Sequence, residues 1–288
     1  LSLQQERAAL IEENFEEGFL DDTPLCERCG GSGYVGSTMC ECLRELCRQE
    51  QKKEITILSG GRESFAQFKL DYYPDRIDPK IGAFCDNTRD AVKGSVMDAA
   101  SVGFVNGGKI SAEKIYKCVA GWAGKHGDYQ TPYQTITYLS CHDDWTLWDK
   151  LVYTMSPRKK FFGRSPKILR ANRLAAAMNF CCQGYPFFLS GEEFARTKGG
   201  IKNSYNSAPQ INQLDWQRAW DNRNLVNYYR GLIALRKKLP CLQDKSPQAA
   251  LRIRCALDLA PGCAGISMDN RGGNSKWDKI LLIFHTGN

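Results

Sequence analysis

Residues 133–150 constrain this chain more than any other stretch. An alternating, β-rich run, Tyr133-Gln-Thr-Ile-Thr-Tyr-Leu-Ser, ends on the polar pair His142-Asp143 and passes at once into a helix-forming segment with Trp145 and Trp148. A strand that stops on an imidazole and an acid and then feeds a helix matches the edge at which α/β barrels present functional side chains. The alternation continues on both sides. Periodicity predicts helices over Ser111–Trp122, Thr146–Thr154, Arg170–Gln183 and Leu225–Lys238, the last stopped by Pro240, and strands over Gln134–Cys141 and Gly184–Ser190. Crossovers of this length imply parallel strands covered by helices, an α/β fold. Polar residues again follow the second strand, as Glu192-Glu193. Leu251–Cys255 and Lys279–His285 alternate like strands and predict the start of an appended β-domain.

The chain has 288 residues, 42% of them hydrophobic and 11% aromatic, a balance that predicts a folded, soluble protein. No apolar run approaches the roughly 20 residues needed to cross a bilayer, so no membrane association is expected. The polar start, Leu1-Ser-Leu-Gln-Gln-Glu, offers no secretory signal, and the missing initiator Met suggests a processed or incomplete chain. Thirteen cysteines, an odd number, then point to reduced thiols and a cytoplasmic setting. Charge divides unevenly: residues 1–82 carry 10 Lys/Arg against 16 Asp/Glu, residues 83–288 carry 29 against 16. Such a break predicts two pieces of different character. The basic residues of the second piece are dispersed, so nucleic-acid binding is not expected.

The first piece opens with a helix-like pattern over 3–18, broken at Asp21-Asp-Thr-Pro. Next come Cys26-x2-Cys29, ten residues rich in glycine, and Cys40-x-Cys42. Four thiolates at this spacing can satisfy a tetrahedral Zn2+, and the glycines let two knuckles face each other. A segment with so little apolar surface would draw its folding energy from the metal. A helix is predicted over Leu43–Lys53, and residues 60–82, with two prolines, read as a loop. The cysteine block together with Phe65-x-x-Phe68-x-Leu70-Asp71-Tyr72-Tyr73 resembles the amino-terminal region of DnaC-like helicase loaders. That resemblance implies an ancestral helicase partner for residues 1–60. ATP hydrolysis is not expected, because no G-x-x-x-x-G-K-[ST] loop occurs.

The second piece carries five ordered motifs. They are Phe84-x-Asp86-x-x-Arg89-Asp90-Ala-Val-Lys-Gly-Ser-Val, Gly103-Phe-Val-Asn-Gly, Ser140-Cys-His-Asp-x-Trp-Thr-Leu-Trp-Asp-Lys, Gly184-x-Pro-Phe-x-x-x-Gly191-Glu-Glu-Phe-x-Arg-Thr-Lys198, and Asn203-Ser-Tyr-Asn-Ser-x-x-x-Ile-Asn-Gln-Leu-Asp-Trp216. Residues 83–288 resemble the carboxy-terminal part of type I pullulanases of the alpha-amylase superfamily. The resemblance implies retaining hydrolysis of α-1,6 branch linkages in pullulan, starch or glycogen-like glucans. It makes Asp143 the carboxylate that stabilises the transition state and His142 its substrate-holding neighbour. Trp145, Tyr205 and Asn206 are the candidate substrate-binding residues, with Trp148 and Trp216 as further aromatic platforms. Where the family has Asn, this chain has Asp144, which adds charge to the cleft. The family's nucleophile and acid lie upstream of Phe84 and have no counterpart here. The expectation is therefore a partial (β/α)8 barrel of about three βα units: residues 1–82 a zinc-type segment, 83–240 the barrel part, 241–288 the beginning of a β-sandwich. By lineage it is a glycoside hydrolase, expected to be an inactive fragment or chimera. A zinc-dependent interaction module or a glucan-binding remnant is the alternative.

Overall fold

Between Ala83 and Pro186 the alternating pattern becomes three short parallel strands joined by helical crossovers. The computed structural model of the chain describes residues 26–58 and 82–287, apart from Lys125, His126, Asp128, Lys245 and Asn274, together with Gln5, Glu6 and Glu13. The helix expected over 3–18 and the loop expected over 60–82, with its Phe65–Tyr73 motif, lie outside the described residues. The chain divides into two compact units, Leu1–Pro74 and Asp75–Asn288.

In the first unit, β1 (Tyr34–Val35) and β2 (Thr38–Met39) form an antiparallel hairpin in which Tyr34 faces Met39 and Val35 faces Thr38. Its turn begins at Gly36, whose φ of +62° few other residues adopt without strain. Gly33 is buried, and a Cβ there would meet Leu43 Cδ2 at 2.8 Å, so the glycine permits close packing against the helix that follows. That helix, α1 (Glu41–Leu58), is longer than the sequence predicts. Arg48 reaches back to Glu41 and Glu45 along its exposed face.

In the second unit, β3 (Ala83–Phe84), β4 (Thr135–Thr137) and β5 (Tyr185–Pro186) lie side by side in that order, all parallel. Ile136 of β4 faces Phe84 on one side and Tyr185 on the other. The strands are shorter than the predicted Gln134–Cys141 and Gly184–Ser190. Pro186 has no N–H to donate, which suits it to the outside of a sheet. The crossovers contain α2 (Asp86–Lys93) and α3 (Ala112–Val119), then α4 (Leu147–Met155) and α5 (Pro166–Phe180). Three helix starts follow from local chemistry. Ser111, Thr146 and Ser165 each accept a hydrogen bond from a backbone amide of the first turn, and Pro166 occupies the first turn of α5. Among the described residues the sheet is open, and no closed barrel forms.

Downstream lie α6 (Pro209–Asn212), α7 (Trp216–Asp221), α8 (Arg223–Arg236) and α9 (Pro240–Gln243). An antiparallel sheet of β6 (Ile253–Ala260), β7 (Cys263–Asp269) and β8 (Lys279–His285) completes the unit. Its inner face delivers Ile253, Ala264, Ile266, Met268 and Phe284 to the same apolar core as Val92, Phe104, Ile115, Trp148, Leu151 and Leu225. Residues 241–288 thus share a core with 83–240 rather than building one of their own.

The first turn of α4 carries two fully buried, oppositely charged neighbours, Asp149 and Lys150. Asp149 accepts from Thr197 Oγ1 and from the backbone amides of Lys198 (2.8 Å) and Gly200 (3.3 Å). Lys150 Nζ donates to the carbonyls of Ser95, Asp98 and Ala99 at 2.7–3.0 Å. One helical turn thereby fixes two loops far apart in sequence, and both ions are satisfied, as burial requires.

Candidate active site

β4 runs out through buried Tyr138, Leu139 and Ser140, and the backbone then turns outward at Cys141–Asp144. Asp144 takes a φ of +54°, a left-handed conformation that Asp tolerates better than most residues. His142 and Asp143 are both exposed at this turn.

The turn is held from beneath. Ser140 Oγ donates to Glu192 Oε2 at 2.6 Å, and Tyr229 OH donates to Glu192 Oε1 at 3.0 Å. Lys198 Nζ donates to the His142 carbonyl at 2.9 Å, so the loop organised by Asp149 also grips the site. Lys93 Nζ, fully buried, reaches the Trp145 carbonyl at 3.4 Å. Lys202 pairs with Asp144 at 3.2 Å, which neutralises the extra charge expected at that position. On the flank, Arg89 bridges Asp86, Asp90 and the Tyr138 hydroxyl.

These contacts set the ionisation of the site. The thiol of Cys141 donates to Asp143 Oδ1 at 2.6 Å and holds that carboxyl below the usual carboxylate range, with His142 and Arg89 adding to the effect against partial burial. Burial, with Asp143 reinforcing it, pushes the Cys141 thiol up to about 11. Asp143 is therefore an anion at neutral pH. It can accept hydrogen bonds from sugar hydroxyls and stabilise positive charge, but it cannot serve as a proton donor. Glu192 is pushed up to about 7 by burial, against the hydrogen bonds of Ser140 and Tyr229 and the charge of Lys93. A carboxyl titrating there has the pKa of a general acid. Its two oxygens are nevertheless occupied inside the protein, and only 4% of the residue is exposed. Glu192 supports the site from behind.

A cleft of about 30 Å3 beside the turn is lined by Arg89, Lys93, Tyr138, Ser140, Asp143 and Trp145, among others. Trp145 is 7% exposed and its ring packs against Tyr153 at 5.0 Å, so the structure gives it a packing role rather than a free stacking face. Trp148 is likewise core, with its indole N–H on the Phe161 carbonyl at 2.7 Å. Tyr205, 89% exposed, and Asn206 stand on a separate loop outside the lining of this cleft. Trp216 is 71% exposed beside Phe194. Sequence reasoning missed the support provided by Lys93, Lys198 and Tyr229. Only the position of Glu192 just after β5 hinted at it.

In the first unit, the sulfurs of Cys26, Cys29, Cys40 and Cys42 all lie within 4.8 Å of one another. Cys26 Sγ is 3.8 Å from Cys40 Sγ, and Cys29 Sγ is 3.4 Å from Cys42 Sγ. Tetrahedral zinc with Zn–S bonds of about 2.3 Å separates its sulfurs by about 3.8 Å, so the four residues fit the metal.

No family model matches the chain. It is 36% identical over 210 residues to a pullulanase of Bacillus subtilis (strain 168), a match covering 72% of this chain and 29% of the relative. Pullulanase 1, chloroplastic, of Arabidopsis thaliana is 32% identical over 135 residues, 44% of this chain and 14% of that protein. Among solved structures, the Bacillus subtilis str. 168 type I pullulanase complexed with maltose aligns with a TM-score of 0.65 and 34% identity, covering 72% of this chain and 29% of that one. The Paenibacillus barengoltzii pullulanase complexed with maltohexaose and alpha-cyclodextrin aligns at 0.64 and 32%, covering 72% and 32%. Pullulanase homology thus extends over about 70% of the chain, with an α/β glycoside hydrolase fold, while the chain spans under a third of the curated Bacillus relative. These relatives lend no support to the helicase-loader resemblance of residues 1–82.

Proposed function

We propose that residues 83–288 are the α-glucan-holding part of a pullulanase-type glycoside hydrolase, whose reaction is retaining cleavage of α-1,6 branch linkages. One observation carries this reading: an ionised, exposed Asp143 beside His142, at the end of a parallel strand, within a segment homologous to pullulanases. Asp143 accepts hydrogen bonds from sugar hydroxyls at the scissile unit and stabilises the cationic transition state, and His142 contacts the same sugar. Retaining cleavage also needs a nucleophile and an acid about 5–5.5 Å apart. Among the described residues lining the cleft, the only other carboxylate is Asp144, already paired with Lys202. We therefore expect the chain alone to bind glucan without turning it over.

The test is calorimetric titration with maltotetraose and branched maltodextrin, alongside a reducing-end assay on pullulan. Asp143→Asn should weaken binding about tenfold, the loss of one charge-assisted hydrogen bond. Absence of saturable binding, or an affinity indifferent to the substitution, would defeat the reading. Turnover by the purified chain would show that the catalytic set is complete.

A second reading concerns residues 26–58. The sulfur spacing supports a structural Zn2+ held by Cys26, Cys29, Cys40 and Cys42, which would make this piece a zinc-dependent interaction module. The helicase partner implied by the loader resemblance, and a chimeric origin for the chain, rest on the sequence alone. Elemental analysis of reductively purified protein tests the metal, with one equivalent expected.

A further inference from the structure

A second cleft lies away from His142–Asp143, where the end of α8 and α9 meet the connection between β7 and β8. Its volume is about 910 Å3, within the range of small-molecule sites. Lys237, Lys238, Arg252, Lys276 and Trp277 line it, with Asp244 as its one acid.

Its walls are fixed rather than loose. Asn270, fully buried, accepts from the Cys241 amide and donates to Ser275 Oγ (2.7 Å) and the Trp277 carbonyl (2.8 Å), which ties Ser275 and Trp277 to α9. Arg252 pairs with Asp244 and donates to the Arg271 carbonyl at 2.8 Å, so the acid is neutralised within the wall. Gln243 Nε2 covers the carbonyls of Arg236 and Lys237, removing two acceptors that would repel an anion at the end of α8. Three lysines remain exposed at the rim, and the one carboxylate of the lining, Asp244, is already paired with Arg252. Trp277 is half exposed.

We propose that this cleft binds a phosphorylated sugar, its ring laid on the face of Trp277 and its phosphate held by Lys237, Lys238 and Lys276. Three ammonium groups match a phosphomonoester, which carries −1.5 to −2 charge at neutral pH. A flat indole beside them favours a ring over a free anion. The choice of a sugar over a nucleobase rests on the glucan reading of the preceding subsection. The same chain would then hold a neutral glucan at Asp143 and a phosphate-bearing glucose unit here.

Calorimetric titration of the full chain with glucose 6-phosphate, AMP, inorganic phosphate and maltose tests this. Glucose 6-phosphate should saturate and bind at least about tenfold more tightly than phosphate or maltose. Lys276→Gln should weaken it about fivefold and reduce its salt dependence. Trp277→Ala should weaken it about tenfold, and the exposed Lys276→Gln variant keeps the test decisive should Trp277→Ala unfold. Equal binding of phosphate and glucose 6-phosphate would reduce the cleft to an anion patch and overturn the proposal. So would tighter binding of AMP, or no saturable heat from any ligand. Asp143→Asn should leave this signal unchanged while weakening maltotetraose binding about tenfold, so the two sites fail separately.

Discussion

The cysteine-bearing unit and the core of the second unit achieve order by opposite means. In residues 26–49, Tyr34, Val35, Met39 and Leu46 are between 36% and 54% exposed, while Cys40 is buried. In the second unit, Trp148, Leu151, Ile115 and Leu225 are each no more than 2% exposed within one continuous cluster. The first has thiols where the second has hydrocarbon. Stability in the second unit is therefore spread over many contacts, and the zinc proposed for the first unit would concentrate its stability in one coordination sphere.

Removal of the proposed Zn2+ should break this comparison most severely. A structural zinc contributes about 10–16 kcal/mol in small modules of this kind. Chelation, or Cys26→Ser, should abolish the amide dispersion of residues 26–58 in a two-dimensional NMR spectrum while the signals of 82–287 stay in place. A hairpin that survives chelation would show that the unit folds without metal. Next in size, Trp148→Ala should cost about 3–5 kcal/mol in urea unfolding of the second unit and leave the zinc content unchanged.

Glu192 sharpens the contrast through pH. Its folded pKa of about 7 exceeds the ordinary value of 4.5, so the folded state keeps a proton that the unfolded state has lost. Stability should then fall as pH rises from about 4.5 to 7, by on the order of 3 kcal/mol, and level above that. Lys93, lowered by burial to about 8 from 10.5, acts in the opposite sense, and stability should climb between about 8 and 10.5. Thermal melts across this range should show the acid-side decline in the parent chain and lose it in Glu192→Gln. The smallest effect should come from Ser111→Ala, about 1 kcal/mol for one lost cap of α3, read as a small shift in the urea midpoint.

The helices were the most legible part of the chain where their starts are written in adjacent residues, at Ser111 and Thr146; α5 instead begins at Pro166, four residues before the expected Arg170, because its Ser165 cap precedes the apolar stripe that marked the helix. The His142–Asp143 turn was legible for the same reason. Strand β3 has two residues and no periodicity to read, and β7, Cys-Ala-Gly-Ile-Ser-Met-Asp, hides its alternation among small side chains. Trp145 reads as exposed because it sits among polar residues before a helix. Its burial depends on Tyr153, two turns on. The support under the site is long-range throughout: Glu192 joins Ser140 and Tyr229 from 52 and 37 residues away. No local window contains such a triangle.

The Asp149–Lys150 pair carries a consequence for the order of folding. Neither loop 95–99 nor loop 197–200 can take its final shape before the first turn of α4 exists, because that turn supplies the hydrogen-bonding groups that close both. The two loops, made some fifty residues before and after the helix, should therefore acquire order together and late, on a single kinetic phase. α4 would act as the keystone between the early-made and late-made halves of the site.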